Sequence, residues 1–476
     1  MSDFELVIRG KLVDADGTTE DGWLGCLDGK IAARGIVGAA GVPRGQDNID
    51  ARGMWVMPGV IDGQVHTNVA AGCEGIGQAS RAAAAGGITL MVSSPSCEEQ
   101  PVSSRRVLDE RIAEIKRDAY VDVAITGALC DKYGLEAALG LVDGGVCAFK
   151  FSRYGAVEGE GGWVDEDDLH EAFRLLASSG LACEVHNQMH RLTEKLVSEL
   201  AEERDTGWDA HMRAHTPLVE NLATSLIFEI GAETGARAHA VHVSTPRGFE
   251  ICNMYKRSGV RASVGTCVQH LMLSHEEHSR RLRGRAVEYP PIRPRAEADR
   301  LWSHIANGDC DFISSNHVAW ATERKDNPDI FRNAMGGPGL ETLLPAFWTG
   351  CELRGIAPSM VVRMLCEGPA RHFLVDDRKG SLQAGMDADI VLLEREHHIY
   401  DARSSLSAAQ WSAFEGVEFN VRVAATYCRG ALVHERGSVD PFHEGYGRFV
   451  KPRRGALHSQ QRSPQGVPAP ELWFFE

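Results

Sequence analysis

Three side chains with metal-binding chemistry lie in or just after short apolar runs. Lys150 is flanked by Phe149 and Phe151, His186 ends one apolar run, and His242 lies in another. A buried ammonium group is unfavourable unless it is paired or neutralised. Lys150 therefore either pairs with a carboxylate or reacts with carbon dioxide, so that the resulting carbamate oxygens bind a metal. Neutral imidazole is a common metal ligand, and the three positions together favour a metal site.

The elements that must position these side chains alternate between strand-like and helix-like segments. Helix signals include the acidic run that begins at Asp165, closed by Gly180, and the Thr216-Pro217 pair, closed by Gly235. Apolar runs typical of buried strands occur at 121–126, 146–151, 181–186, 238–243, 261–264 and 311–315. This alternation predicts a parallel sheet, and its length fits a closed eight-stranded barrel better than an open sheet. Catalytic side chains of such barrels lie at the C-terminal ends of the strands.

The two ends of the chain have a different pattern from the middle. Residues 4–57 and 378–435 contain short strand-like runs separated by turns, including the hairpin signal Asp28-Gly29. We therefore predict an α/β fold: a TIM (β/α)8 barrel with a small β-sandwich domain built from both chain ends. The predicted boundaries are 1–57 and 376–445 for the sandwich, 58–375 for the barrel, and 446–476 for a C-terminal tail.

Charge and composition exclude several classes of partner. The formal net charge of −16 disfavours binding to nucleic acid or to anionic membranes. No run of apolar residues is long enough to span a bilayer, and the N-terminus lacks the pattern of a secretory signal. The twelve cysteines show no C-x-x-C pair, which is typical of a reduced chain. We expect a cytoplasmic protein without nucleic-acid or membrane partners.

Seven segments, in chain order, resemble the cyclic amidohydrolases of the dihydropyrimidinase (hydantoinase) type. They are 57–62, 149–150, 241–244, 265–271, 289–293, 337–341 and 379–391, and the similarity extends from Leu6 to about Leu432. The resemblance implies hydrolytic opening of a cyclic amide, imide or ureide by a homotetramer or dimer. It also implies that Lys150 is carboxylated and shares a divalent metal with His186 and His242.

Two positions depart from the family pattern. The family's H-x-H motif is present here as Gln64-Val65-His66, and its catalytic Asp is replaced by Asn316. In the family both positions serve the first of two metals. We therefore expect one metal per chain rather than two, held by carboxylated Lys150, His186 and His242, with His66 and Gln64 as further candidate ligands. Zinc is the expected metal, with manganese and cobalt left open.

Asn316 raises a question about catalysis, because an amide cannot take a proton from water and pass it to a leaving nitrogen. Such general acid–base catalysis is worth about 10²–10⁴-fold. His317 or the substrate's own leaving group is a candidate substitute, and metal activation of water remains available. The alternatives are a catalytically silent structural subunit and a metal-dependent lyase or decarboxylase on the same scaffold.

Other candidate residues rest on weaker signals. The resemblance places Tyr154 near the family's oxyanion-binding tyrosine, although its spacing is one residue short, and Gly337 and Gly339 in a loop that helps to hold the substrate. Arg153 either binds a substrate carboxylate or forms a surface ion pair. The pair His275-x-x-His278 is predicted to lie on a solvated helical face, because Glu276, Glu277, Arg280 and Arg281 surround it.

Overall fold

The computed structural model describes residues 4–38, 41–67, 74–94, 101–129, 134–153 and 164–453. Tyr154 and most of the predicted tail lie outside these ranges. The strands within them are β1 (Phe4–Asp14), β2 (Gly17–Leu27), β3 (Lys30–Ile36), β4 (Gly45–Pro58), β5 (Val60–His66), β6 (Ile88–Ser93), β7 (Asp122–Ala128), β8 (Ala148–Ser152), β9 (Ala182–His186), β10 (Arg237–Ala240), β11 (Ala262–Cys267), β12 (Phe312–Ser314), β13 (His317–Val318), β14 (Ile390–Ile399), β15 (Glu418–Cys428), β16 (Ala431–Glu435) and β17 (Ser438–Val439).

Helices follow most strands of the middle region, as the alternation predicts. They are α1 (Gly75–Ala85), α2 (Arg105–Asp118), α3 (Gly134–Gly144), α4 (Glu166–Leu176), α5 (His190–Glu202), α6 (Ala210–Ala214), α7 (Pro217–Thr234), α8 (Pro246–Arg257), α9 (Val268–Met272), α10 (Arg280–Leu282), α11 (Arg295–Asn307), α12 (Leu343–Leu353), α13 (Pro358–Val362) and α14 (Gly368–His372).

The central sheet closes on itself through an interrupted strand. Strands β5 to β11 pair in parallel in chain order, β12 pairs with β11, and β13 pairs with β5. Only Ser315 and Asn316 separate β12 from β13, so the two short strands together fill the eighth position. This closure confirms the predicted (β/α)8 barrel.

The second sheet takes strands from both chain ends, as predicted for the β-sandwich domain. Its order is β17-β16-β15-β14-β4-β1-β2-β3, with β4 pairing in parallel with β1 and antiparallel with β14. Its own hydrophobic core includes Ile8, Leu24 and Val56. The two chain ends are therefore joined by backbone pairing and share one core.

Alternation along the barrel strands separates the site from the core. Phe149 and Phe151 belong to the main hydrophobic core, where the Phe151 ring lies 5.9 Å from that of Phe173 on α4. Because successive side chains of a strand point to opposite faces, Lys150 points into the barrel. One lysine between two phenylalanines is therefore the expected pattern for a polar group that faces inward.

The helix signals agree closely with the structure, whereas one strand prediction is wrong at its end. The Asp165 side chain caps α4 by accepting a hydrogen bond from the Asp168 backbone N–H at 3.0 Å. Gly180 and Gly235 follow their helical segments with φ of 69° and 72°. The strand predicted at 238–243 ends at Ala240, and the chain has turned by His242, whose φ is +40°.

The first residues of the predicted tail pack against the barrel. The Val123 backbone N–H donates to the Arg448 carbonyl at 2.9 Å, and the Val450 N–H donates to the Val123 carbonyl at 2.8 Å. This segment therefore lies beside β7, near the start of that strand. Within the described ranges, every helix is too short or too polar to cross a bilayer.

Candidate active site

The C-terminal ends of the barrel strands bring the predicted metal ligands close together. Lys150 on β8 is 6% exposed, and His186 ends β9. His242 follows β10 by two residues, and His66 ends β5. The charge of Lys150 acts on both His186 and His242, and that of His66 acts on His186, so these side chains share one electrostatic environment.

The two histidines are in direct contact and are held neutral. His186 Nδ1 and His242 Nε2 are 3.0 Å apart, and the two ring planes meet at 71°. Burial and, to a smaller extent, the positive charge of Lys150 together lower the pKa of His186 to about 3. Burial also lowers the pKa of His242 well below its ordinary value, with His186 and Lys150 adding to the effect. Both rings therefore keep the neutral form that metal ligation requires.

Gln64 presents a buried amide group toward this end of β5. Its side chain is 1% exposed, and neither Oε1 nor Nε2 has a hydrogen-bond partner among the residues described. An unsatisfied buried polar group costs about 1–3 kcal/mol, so such a group is usually explained by a bound ligand or ion. The amide therefore fits a site that takes an oxygen ligand from Gln64.

Asp62 ties this strand to the segment that carries Asn316. It accepts hydrogen bonds from the Gln64 backbone N–H at 3.3 Å, and from the Ser315 N–H and hydroxyl at 3.0 and 2.5 Å. Burial raises the pKa of Asp62 to about 6, against the hydrogen bonds that lower it. The sequence had shown Asp62 only as part of a motif, without a role. The structure makes it a positioning residue.

Asn316 and His317 lie at the interruption of the eighth strand. Asn316 has φ of +52°, a left-handed conformation that asparagine tolerates better than most residues. His317 is fully buried; its Nδ1 accepts from the Gly339 backbone N–H at 3.0 Å, and its Nε2 lies 2.5 Å from Glu74 Oε1. Because the backbone N–H can only donate, the ring proton lies on Nε2 and points at Glu74. Both ring nitrogens are thus occupied, and His317 is placed as a positioning residue rather than as a proton carrier.

Glu74 was not identified from the sequence. Its second carboxylate oxygen accepts from the Ser407 hydroxyl and from the Ala408 backbone N–H, each at 2.9 Å. It therefore links His317 to a segment near the other end of the chain. A glutamate directly before α1 gives no local signal of a partner more than 240 residues away.

The segment 337–341, called the glycine loop below, lies next to β13. The Val318 N–H donates to the Gly337 carbonyl at 3.0 Å, so the loop continues the backbone pairing of the barrel. A Cβ on Gly339 would lie 3.0 Å from Ser315 Cβ, and one on Gly337 would lie 3.0 Å from the Trp411 ring. Glycine at both positions allows the close approach that delivers the Gly339 N–H to His317.

The sequence left Arg153 either to a substrate carboxylate or to an ion pair, and in the structure it forms an ion pair. Its side chain is 2% exposed and donates to the Glu166 carboxylate and, at 3.1 Å, to the Val164 carbonyl. The guanidinium is buried, whereas Glu166 is half exposed. The pairing therefore fixes the start of α4 next to the end of β8.

A second group of ligand-type side chains lies inside the barrel, next to Lys150. Glu184, His239 and His372 place one ligand atom each within 4.8 Å of one another, and Glu184 Oε1 is 3.0 Å from His372 Nε2. Glu184 lies opposite Lys150 in the β8–β9 register. Burial raises the pKa of Glu184 to about 7, and the Lys150 charge opposes that rise. The carboxylate neighbour of Lys150 that the sequence left open is thus Glu184.

The prediction for His275 and His278 is wrong. Both side chains are 6% exposed, in a turn of π-helix rather than on a solvated face. His275 Nε2 lies 2.7 Å from Asp209 Oδ1, and the Ser274 N–H donates to His278 Nδ1 at 3.1 Å. The neighbouring glutamates are exposed, but the wider helical turn directs both rings inward.

Comparison with known proteins identifies a family that extends over most of the chain. Residues 55–433 match the amidohydrolase family. An allantoinase from Rubrobacter xylanophilus is 32% identical over 95% of this chain and 99% of its own length. An L-hydantoinase from Paenarthrobacter aurescens is 28% identical over 94% and 98%.

Solved structures agree with these relatives. The L-hydantoinase (dihydropyrimidinase) from Arthrobacter aurescens superposes with a TM-score of 0.90, at 28% identity, over 94% of this chain and 100% of its own. A D-hydantoinase structure gives a TM-score of 0.86 at 26% identity, over 94% and 99%. The similarity therefore includes the barrel, the end sheet and the segments that carry the site.

Proposed function

This chain belongs to the amidohydrolase family, and from that premise we propose that it is a metal-dependent hydrolase that opens a cyclic amide, imide or ureide. The observation that carries the proposal is the contact of two neutral histidines, His186 and His242, beside buried Lys150 at the C-terminal ends of the barrel strands. Active sites of TIM barrels lie at this end. Relatives named for opening hydantoin-type rings share the whole architecture.

The residues that would hold the metal are Lys150, His186 and His242, with His66 and Gln64 at the neighbouring strand end. Lys150 would add to carbon dioxide as a neutral amine and release one proton, which leaves a carbamate with a single negative charge. One divalent metal per chain is proposed, with zinc preferred and manganese or cobalt possible for this donor set. When bound, the metal would polarise the substrate carbonyl and acidify water.

The remaining residues would orient the substrate. Asp62, Glu74 and His317 hold the strand ends and the glycine loop in place through the hydrogen bonds described above. The Asn316 amide can donate a hydrogen bond to a ring carbonyl, and the backbone at Gly337 and Gly339 borders the same region. We assign Tyr154, which lies outside the described residues, to the oxyanion of the tetrahedral intermediate. The proposed protein is a cytoplasmic homotetramer or dimer.

The test is metal analysis combined with a panel of ring substrates. Purified protein is expected to contain about one divalent metal per chain and to open at least one member of a panel of hydantoins, allantoin, dihydropyrimidines and cyclic imides. Lys150→Ala should lose both metal and turnover, because the carbamate anchors the ion. Lys195→Ala, which alters an exposed lysine on α5, is the control. Full turnover by Lys150→Ala would refute the mechanism.

A specific observation also favours a second candidate, a catalytically silent family member. Glu184 lies opposite Lys150 and is able to pair with an ammonium group there, which would prevent carbamate formation. This candidate predicts protein without bound metal and without turnover on the whole panel. Because the Glu184 carboxylate is what blocks the carbamate in this candidate, Glu184→Gln should then raise the metal content from zero, whereas in an active enzyme the wild type already contains the metal.

A further inference from the structure

One buried carboxylate beside the site has no task in the mechanism above. Glu288 lies in the segment that joins β11 to α11 and is 3% exposed. Its Oε1 lies 3.6 Å from the position that a Cβ would take on Gly337. Its Oε2 is buried and has no hydrogen-bond partner in the part of the chain that the structure describes. An unsatisfied carboxylate oxygen needs an explanation, because its desolvation is expensive.

The surroundings of Glu288 hold it in place without neutralising it. Lys325 is fully buried and donates to the carbonyls of Val287, Ala334 and Gly336 at 2.9, 2.6 and 2.8 Å. These bonds clamp the backbone before Glu288 to the glycine loop. The Glu288 carbonyl accepts from His211 Nε2 at 2.9 Å on the other side. The Lys325 ammonium group therefore donates its hydrogen bonds to backbone carbonyls, and it acts on the Glu288 carboxylate only through its charge.

Several contacts place this carboxylate at the reacting end of the barrel. Gly337 pairs with His317, the neighbour of Asn316. Burial raises the pKa of the Cys267 thiol at the end of β11, and the charges that act on this thiol include those of Glu288, Asp62 and Lys150. Glu288 therefore shares the barrel mouth with the proposed metal ligands.

The side chain of Tyr289, next to Glu288 in the sequence, packs against two histidines and not beside the Glu288 carboxylate. The Tyr289 ring packs on His211 and His215, with centroid distances of 5.0 and 4.5 Å. Gln269 bridges the two sides of the mouth, since its Nε2 donates to the Ser315 carbonyl at 3.1 Å and its amide also acts on Glu288.

The titration of Glu288 suits proton transfer. Burial raises the pKa of Glu288 to about 7, against the charge of Lys325 and the hydrogen bond with Gln269, and burial lowers the pKa of Lys325 to about 7 against the charge of Glu288. His211, which also faces this segment, is held neutral because burial lowers its pKa to about 3. The buried Cys267 thiol has a raised pKa and stays uncharged. A general acid–base group works best when its pKa is near the working pH.

We propose that Glu288 is a catalytic residue that performs the proton transfer for which Asn316 is unsuited. This role rests on the proposed hydrolase function. The Glu288 carboxylate takes a proton from the attacking water as the oxygen forms its bond to the ring carbonyl carbon. The carboxylic acid then gives that proton to the ring nitrogen as the carbon–nitrogen bond breaks. The carboxylate is regenerated, and the net change is the addition of one water across the amide bond.

The test uses Glu288→Gln in the full-length, metal-containing protein, with the ring substrate that the wild type opens fastest. We expect kcat to fall by about 10²–10⁴-fold with little change in KM, since only proton transfer is lost. The rise of kcat with pH near 7 should disappear. Metal content should be unchanged. Glu288→Asp, which keeps the carboxyl group, should retain the pH dependence at a lower kcat and serves if the glutamine variant does not fold.

A second change gives the discriminating result. Asn316→Asp in the Glu288→Gln background should restore activity, because it supplies a carboxylate on the neighbouring segment. Glu229→Gln, at an exposed position on α7, is the control for loss of one negative charge. Unchanged kcat and pH profile in Glu288→Gln would overturn this role alone, as would a rise in KM without a fall in kcat. A wild-type protein without turnover would overturn the proposed function and this role together.

Discussion

The two ends of the barrel each contain a buried lysine, and the charges around the two lysines differ. At the N-terminal end, Lys379 donates to Asp122 and Asp389 at 2.7 and 2.6 Å and lies 3.1 Å from Asp387. Burial alone would lower the pKa of Lys379, but these carboxylates hold it well above its ordinary value. At the C-terminal end, Lys150 lies near His186 and His242. Its positive charge lowers the pKa of both histidines and so favours their neutral form.

The surroundings of the two lysines indicate different tasks for the two ends of the barrel. Arg429 and Lys30 complete the N-terminal network through Asp122 and Asp387, and this network joins the barrel to the end sheet. Within the described residues, the C-terminal end contains a Gln64 amide and a Glu288 oxygen without hydrogen-bond partners, whereas the N-terminal network leaves only the Nε of Arg429 without one. Buried charges that pair with one another specify structure, whereas buried polar groups without partners are typical of sites that bind or react. The difference agrees with the usual division of barrels into a stability face and a catalytic face.

The largest expected effect is a loss of stability when Lys379 at the N-terminal end is replaced, and comparison with Lys150 tests the division into two faces. Lys379→Met should reduce the free energy of unfolding by about 3–5 kcal/mol, because it leaves buried carboxylates without a counter-charge. Lys150→Met should cost much less, since burial raises the pKa of the neighbouring Glu184 to about 7, and this carboxyl group can take up a proton when the lysine charge is removed. Urea unfolding of both metal-free variants measures the two effects. Equal losses would mean that the two ends do not differ in this way.

The pH dependence of stability should reflect the buried Glu288 at the C-terminal end of the barrel. The folded protein raises the pKa of Glu288 from 4.5 to about 7, so it keeps a proton over a range in which the unfolded chain has lost it. The free energy of unfolding should therefore fall as pH rises through this range. Glu288→Gln should flatten that fall. A slope unchanged by the substitution would show that Glu288 does not titrate there.

Asn316→Asp alone should have a smaller effect, on rate rather than on stability. A carboxylate at this position adds a second route for proton transfer, and we expect kcat to rise by about tenfold to a hundredfold. Asparagine and aspartate both tolerate the left-handed backbone there, so the fold should be retained. Steady-state kinetics on the best ring substrate measures the change. A fall in kcat would mean that the amide itself contacts the substrate productively.

The smallest loss of stability is expected for the ion pair between buried Arg153 and half-exposed Glu166. Glu166→Gln removes the partner of Arg153, but Glu166 is 51% exposed and the Val164 carbonyl remains as an acceptor. The loss of stability should stay below about 1 kcal/mol. KM for uncharged rings should not change. A marked change in KM for a ring that carries a carboxylate would instead assign Arg153 to the substrate.

The sequence by itself determined the architecture and the approximate position of most barrel strands. Alternating apolar runs and capping residues such as Asp165 act over a few residues, so their signals can be read locally. The same is true of Lys150 between two phenylalanines. The apolar runs that contain His186 and His242 indicated these two residues as well, and the structure places them in contact.

Only the tertiary structure decided which partners surround these residues. Glu74 meets His317 across 243 positions, Glu184 faces Lys150 on the next strand, and Lys325 aligns the backbone before Glu288 with the glycine loop. Such pairs depend on the closure of the barrel, which brings distant segments to one edge and excludes water from them. Burial then sets the charge of each group, and no local pattern encodes it.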